Sequence, residues 1–185
     1  NKDNPYIAFI DAKYWIESCL INNDCMVIGD AAFFECRRLK SIEIPSSVTS
    51  IGDKAFYNCV SLTSIEIPSS VTIIGNGVFS NCIKLPIISV SENNSNYKSI
   101  DGNLYSKDGT ILLQYAIGKQ DISFTIPNCV KSIGGFAFFN CRSLTSIEIP
   151  NSVTIIGDGA FSDCINLAII SVSENNSNYK SIDGN

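Results

Sequence analysis

Apolar residues return along this chain on a fixed beat. Ile28-Gly29, Ile51-Gly52 and Ile74-Gly75 lie 23 residues apart, and Ile133-Gly134 and Ile156-Gly157 repeat the step. After each comes a Phe (Phe33, Phe56, Phe79, Phe138, Phe161) and, three residues on, a Cys (Cys36, Cys59, Cys82, Cys141, Cys164). Three more bring a Leu (Leu39, Leu62, Leu85, Leu144, Leu167), then an alternating stretch such as Ile42-Glu43-Ile44-Pro45. The alternation predicts a short strand with one face inward, and the Pro, lacking an N–H, ends it. Ser46-Ser47 or Ser69-Ser70 then makes a turn, and Val48 or Val71 returns to the core. Asp30, Asp53, Asn76 or Asp158 is placed to cap one short helical turn that carries the Phe.

A second period overlies the first. Ile51 to Ile133 is 82 residues, as is Ile74 to Ile156, and the run Ile87 to Asn103 recurs letter for letter as Ile169 to Asn185. The extra length carries an expected β-hairpin, in which 103–106 and 110–115 flank Lys107-Asp108-Gly109. The layout is a worn capping repeat over 1–27, three 23-residue repeats over 28–90, a long repeat over 91–126, two short repeats over 127–172 and the start of another long one over 173–185. In the first of these, Ile16, Cys19 and Ile21 take the places of Leu39, Ile42 and Ile44. The cut inside the last unit leads to the expectation that further repeats follow.

One such unit cannot bury its apolar side alone, but stacked units can, with strands about 4.8 Å apart in a parallel sheet. The expected fold is therefore a right-handed repeat solenoid. It has a parallel sheet on one face, short helical or 3-10 turns opposite, and an inserted β-hairpin.

Composition narrows the chemistry. The 185 residues are 45% hydrophobic, enough for a core, and the formal charge is −5. The basic residues are scattered, their tightest group being Arg37, Arg38 and Lys40, so no nucleic-acid footprint is expected. No apolar run is long enough for a membrane helix. Histidine is absent, which removes Ser-His-Asp and Cys-His catalysis. There is no Walker loop, and Gly75-Asn-Gly77 and Gly157-Asp-Gly159 lack the rest of a dinucleotide fingerprint. Neither catalytic residues nor a cofactor are expected.

Eight cysteines raise the question of metal or disulfides. Metal is disfavoured: there is no Cys-x-x-Cys, and a column of parallel side chains is a line, not a tetrahedron. In-register side chains also point the same way, a poor torsion for a bridge. A buried ladder of free thiols is expected for Cys36, Cys59, Cys82, Cys141 and Cys164. Cys19 and Cys25, in the first unit, are better placed for a staple, and Cys129 is expected near the surface.

The run Leu39-Lys-Ser-Ile-Glu-Ile-Pro-Ser-Ser-Val-Thr-Ser-Ile-Gly-Asp-Lys-Ala-Phe-Tyr-Asn-Cys59 resembles the repeat of the BspA-like leucine-rich repeat proteins, and Leu104-Tyr-Ser-Lys-Asp-Gly-Thr110 resembles the insertion usual in that family. The likeness covers 28–185. It implies a large surface or secreted protein of anaerobic bacteria or parasitic protists, associated with adhesion to host cells and extracellular-matrix proteins. It carries over no catalytic residue.

Binding would use positions that the stack aligns and the core does not need. Glu43, Glu66, Ser89, Thr125, Glu148 and Ser171 should form one row along the sheet face, either a docking strip for a protein partner or a solvated face. Ser41, Ser64, Ile87, Ser123, Ser146 and Ile169 would form a second row. Tyr97, Tyr105 and Tyr115 would offer aromatic anchors on the hairpin or cover a widened core. Asn93-Asn94-Ser95 and Asn175-Asn176-Ser177 match N-glycosylation acceptors at Asn93 and Asn175. A different reading makes the whole segment an architectural spacer or scaffold, since copied repeats add length without a unique site.

Overall fold

The computed structural model describes residues 14–182. Residues 1–13, within the expected capping repeat, and 183–185, at the end of the last unit, lie outside the described residues. Seven coils follow one another. The first carries β1 (Ser18–Leu20) and β2 (Val27–Ile28), the second β3 (Ser41–Glu43) and β4 (Ser50–Ile51), the third β5 (Ile65–Ile67) and β6 (Ile73–Ile74). The long fourth coil holds β7 (Ile88–Val90), β8 (Tyr97–Ile100), β9 (Asn103–Ser106) and β10 (Ile111–Gln114). Then come β11 (Ser123–Thr125) with β12 (Ser132–Ile133), β13 (Ser146–Ile149) with β14 (Ile155–Ile156), and β15 (Ile169–Val172).

The coils stack in the register that the 23-residue period dictates. β1 pairs with β3 in parallel, Cys19 opposite Ile42, and β5 pairs with β7, Glu66 opposite Ser89; a Ser41–Ser64 bridge joins the two pairs. β11, β13 and β15 continue this face as a separate sheet. The Ile-Gly steps make a second parallel ladder, β2-β4-β6, and a counterpart in β10-β12-β14. The alternation of the Ile-x-Ile-Pro stretches announced the first ladder. The second rests on two-residue strands, too short for any periodicity to reveal.

The turns opposite are not helical: no helix occurs among the described residues. Each core Phe is bracketed by residues with positive φ, such as Lys54 (54°) and Asn58 (62°), or Gly159 (61°) and Asp163 (60°). A right-handed helix cannot run through left-handed residues spaced four apart. The chain instead folds into single turns, and alternate N–H groups reach the next coil: Lys54, Phe56 and Asn58 donate to Asn76, Val78 and Ser80. The aspartates also serve the next coil and not their own turn. Asp30 Oδ1 accepts Asp53 N–H at 2.8 Å, and Asp53 Oδ1 accepts Asn76 N–H at 2.7 Å. That contact explains the glycine of Ile-Gly, since a Cβ on Gly52 would sit 2.3 Å from Asp30 Oδ1.

Equivalent residues form buried columns. Phe33, Phe56 and Phe79 stack at 5.2 and 5.5 Å between ring centroids, with planes within 11°. Leu39, Leu62, Leu85, Ile51, Val48 and Val71 are wholly or almost wholly buried, each side chain contributing about 1.5–3 kcal/mol through burial. The fourth coil keeps the Phe column going with Tyr115, which stacks on Phe138 at 5.1 Å.

The insertion is a three-stranded antiparallel meander, β8-β9-β10, joined through β10 to β12. Its β9–β10 turn is the expected one, with Gly109 at φ +80°. A second Asp-Gly, Asp101-Gly102, turns β8 into β9 with both residues at positive φ, the conformation such two-residue hairpins require. Alternation along β9 sends Leu104 into one core cluster and Tyr105 into the other. The meander is thus a wall between two core halves, and Tyr105 and Tyr115 are buried in it. Of the two readings of the hairpin tyrosines, covering the core is the one the packing supports.

Candidate partner-binding face

Pleating sets the candidate site. Glu43 lies between buried Ile42 and Ile44, Glu66 between buried Ile65 and Ile67, and Ser89 beside buried Ile88, so the three stand outward in register. The 23-residue step also places Leu20 opposite Glu43, and its side chain is 87% exposed. A groove of about 1020 Å³ lies over these residues, walled by Asn22, Asn23 and Ser46. None of Glu43, Glu66 or Ser89 makes a side-chain hydrogen bond or ion pair to another described residue. Their polar atoms are therefore free to meet a partner. Leu20 was missed in the sequence, although subtracting one period from Glu43 finds it.

The six expected row residues are all exposed, but the structure divides the row in two. β7 and β11 are not hydrogen-bonded neighbours, because the turn at Asp101-Gly102 comes between the coils and Ile88 N–H donates to Gly102 O at 2.8 Å. Thr125, Glu148 and Ser171 form a second group, and here the polar atoms are engaged. Thr125 Oγ1 donates to Glu148 Oε2 at 3.2 Å, and Ser171 Oγ to Ile147 O at 3.3 Å. The second expected row divides at the same place; Ile87 and Ile169 are its exposed apolar members.

The cysteines are all free. Cys36, Cys59, Cys82 and Cys141 are buried; Cys164 departs from the expected ladder in being only half-buried, since part of a single coil lies beyond it among the described residues. Cys59, Cys82 and Cys164 each donate S–H to the carbonyl of the core Phe one coil back, at 3.0–3.2 Å. Burial pushes the Cys82 thiol up to about 12, and Cys164 to about 11. It raises Cys59 further still, with its Cys82 and Cys36 neighbours adding to the effect. Such thiols are inert packing groups. Cys19 and Cys25 carry no bridge, and Cys129 is exposed.

Basic residues near the first coils are neutralised locally. Arg38 and Lys40 both bond Glu17, and Arg37 pairs with Glu35 at 3.2 Å. Asn93 and Asn175 are exposed in turns. Their neighbour Asn94 is fully buried: its amide donates to Pro68 O and Val71 O while Oδ1 accepts the N–H of Asn96 and Tyr97. Tyr97 OH then accepts Ile74 N–H at 3.0 Å, completing the edge of the second ladder. Asn176 and Tyr179 repeat the same bonds. The letter-for-letter recurrence of this segment was the signal for it. Among the described residues no cluster of acidic or thiol groups could hold a metal, and no helix is long and apolar enough to cross a membrane.

Parallel coils, a stacked Phe column and an outward strand row define a leucine-rich repeat solenoid. Residues 7–112 and 114–184 match the BspA type leucine rich repeat region, in six copies. The chain belongs to that family. Its fold is similar to the pneumococcal vaccine antigen PcpA, with 30% identity and a TM-score of 0.79 over 86% of this chain and 40% of that one. It is also similar to a leucine rich cell surface protein from Faecalibacterium prausnitzii, at 34% identity and a TM-score of 0.78 over 90% of this chain and 43% of that one. A leucine-rich repeat protein from Eubacterium ventriosum aligns at 26% identity with a TM-score of 0.56, over 92% of this chain and 64% of that one. The chain thus spans less than half the length of the first two. No curated protein matches it. Solenoids of this family type are generally binding modules without catalysis.

Proposed function

We propose that this segment is a non-enzymatic protein-binding module of a cell-surface or secreted adhesin, which docks host or extracellular-matrix proteins on the groove over Glu43, Glu66 and Ser89. The observation that carries this reading is the groove itself, where an outward acidic row in strict register keeps its polar atoms unpaired. Two carboxylates on neighbouring strands favour a partner that brings lysine or arginine. Thr125, Glu148 and Ser171 would serve as a secondary strip. The relatives described as a cell surface protein and a vaccine antigen support the location.

Binding of the purified chain to immobilised fibronectin, fibrinogen and host cells tests this. The wild type should bind one of them saturably and lose affinity as salt is raised. Reversing both charges, Glu43→Lys with Glu66→Lys, should weaken binding at least tenfold, a cost of about 1.4 kcal/mol. Absence of saturable binding to every surface would count against the adhesin reading. Binding that ignores the double reversal and Glu148→Lys would move the site off this face, whereas no binding at all would favour a spacer, a role suggested by the verbatim recurrence of Ile87 to Asn103.

A further inference from the structure

The outer turns carry a directed chain of hydrogen bonds. Asn58 Nδ2 donates to Glu35 Oε1 at 3.2 Å, and Asn81 Nδ2 to Asn58 Oδ1 at 2.6 Å. Asn140 Nδ2 then donates to Asn81 Oδ1, and Arg142 Nε to Asn140 Oδ1 at 2.7 Å. A carboxylate only accepts and a guanidinium only donates, so the two ends fix the orientation of all three amides. The link from Asn81 to Asn140 passes over the fourth coil. That coil takes three residues from Leu112 to Tyr115, where the first takes five from Ile28 to Phe33, and so lacks a full outer turn.

Beside this junction lies a cavity of about 400 Å³. Val60, Ile83 and Ile117 are its apolar lining, and Lys119, Gln120 and Arg142 its polar one. Lys119 Nζ lies 3.7 Å from Asp121 Oδ2, so this pair is locally neutral. Arg142 supplies the charge. Its counterpart in the first coil, Arg37, is compensated by Glu35 two residues before it. Arg142 has the amide of Asn140 at the same spacing, and its terminal nitrogens have no acceptor among the described residues. A guanidinium pinned through Nε presents a preset fork for a carboxylate, and the apolar lining suits an aliphatic stem.

We propose that the notch at the fourth coil binds an aliphatic carboxylate of a partner, with Arg142 holding the acid group and Val60, Ile83 and Ile117 the stem. This site is separate from the acidic groove and of opposite charge. The probe is N-acetyl-leucine, titrated into the ¹⁵N-labelled chain and followed by amide shifts. N-acetyl-leucinamide lacks the charge, acetate lacks the stem, and N-acetyl-glutamate α-amide carries the acid on a side chain. The first and last separate a chain terminus from an acidic residue as the source. Saturable shifts should centre on 81–83, 117–120 and 140–143, with the amide and acetate at least tenfold weaker. Arg142→Gln should abolish them, while Arg37→Gln should not. Ile83 is 45% exposed, so Ile83→Glu keeps the fold and should block the site by pairing with Arg142. Equal shifts with N-acetyl-leucinamide, unchanged binding in Arg142→Gln or Ile83→Glu, or no saturable shifts in the notch would overturn the proposal.

Discussion

At the scale of single residues, the cysteine column shows how a repeat uses one side chain twice. Sγ fills a gap behind the Phe stack and donates to a carbonyl of the preceding coil. Burial holds the Cys82 thiol neutral up to about 12, against an ordinary value of 9.0. The sign follows. Below pH 9 both folded and unfolded chains keep the proton, and the contribution to stability is whole. Between pH 9 and 12 the unfolded chain sheds it while the folded chain cannot, so stability falls. Urea unfolding at pH 8 and pH 10.5 should show this loss, and Cys82→Ala should reduce it while costing about 1 kcal/mol at pH 8. In the native protein at pH 8 a thiol reagent should modify Cys129 promptly and reach Cys36, Cys59, Cys82 and Cys141 only on unfolding.

At the scale of elements, the turn after β7 is held by one buried amide. Asn94 satisfies two carbonyls of the preceding coil and two N–H groups of its own turn, and so aims Tyr97 at the edge of β6. Asn94→Ala strips four bonds and leaves buried partners unmatched, an expected loss of about 3 kcal/mol by chemical denaturation. Tyr97→Phe should cost about 1–2 kcal/mol, because the hydroxyl's bonds with Ile74 N–H and Thr72 O both go while the ring stays. Asn176→Ala should cost less than Asn94→Ala, since less of the chain packs beyond it. A larger loss at Asn176 would contradict this account of the turn.

For the whole molecule, stability is a sum over coils and the contacts between neighbours. Removing one complete period, residues 47–69, restores every column and should leave a folded chain with the same far-UV spectrum per residue and a lower melting temperature. Removing 47–58 shifts the downstream coils out of phase, setting polar residues against the Phe column. That variant should not fold. Equal behaviour of the two deletions would refute a register-driven stack.

The sequence by itself determined the coil: its 23-residue length, its inward columns, the parallel register and the hairpin at Asp108-Gly109 were all legible because repetition multiplies each weak local signal. Where a signal was not multiplied, or depended on backbone hand, the reading stopped. Left-handed residues beside each Phe replaced the expected helical turn, since Lys54 and Ala31 announce no such conformation. Two-residue strands at Ile-Gly were too short to register. Only the tertiary structure decided where the long coil breaks the outward strand row, which tyrosines close the core, and how Asn81 comes to meet Asn140 across 59 residues. These depend on which coils become neighbours once an insertion is folded in, a matter of three-dimensional packing that no one-dimensional period contains.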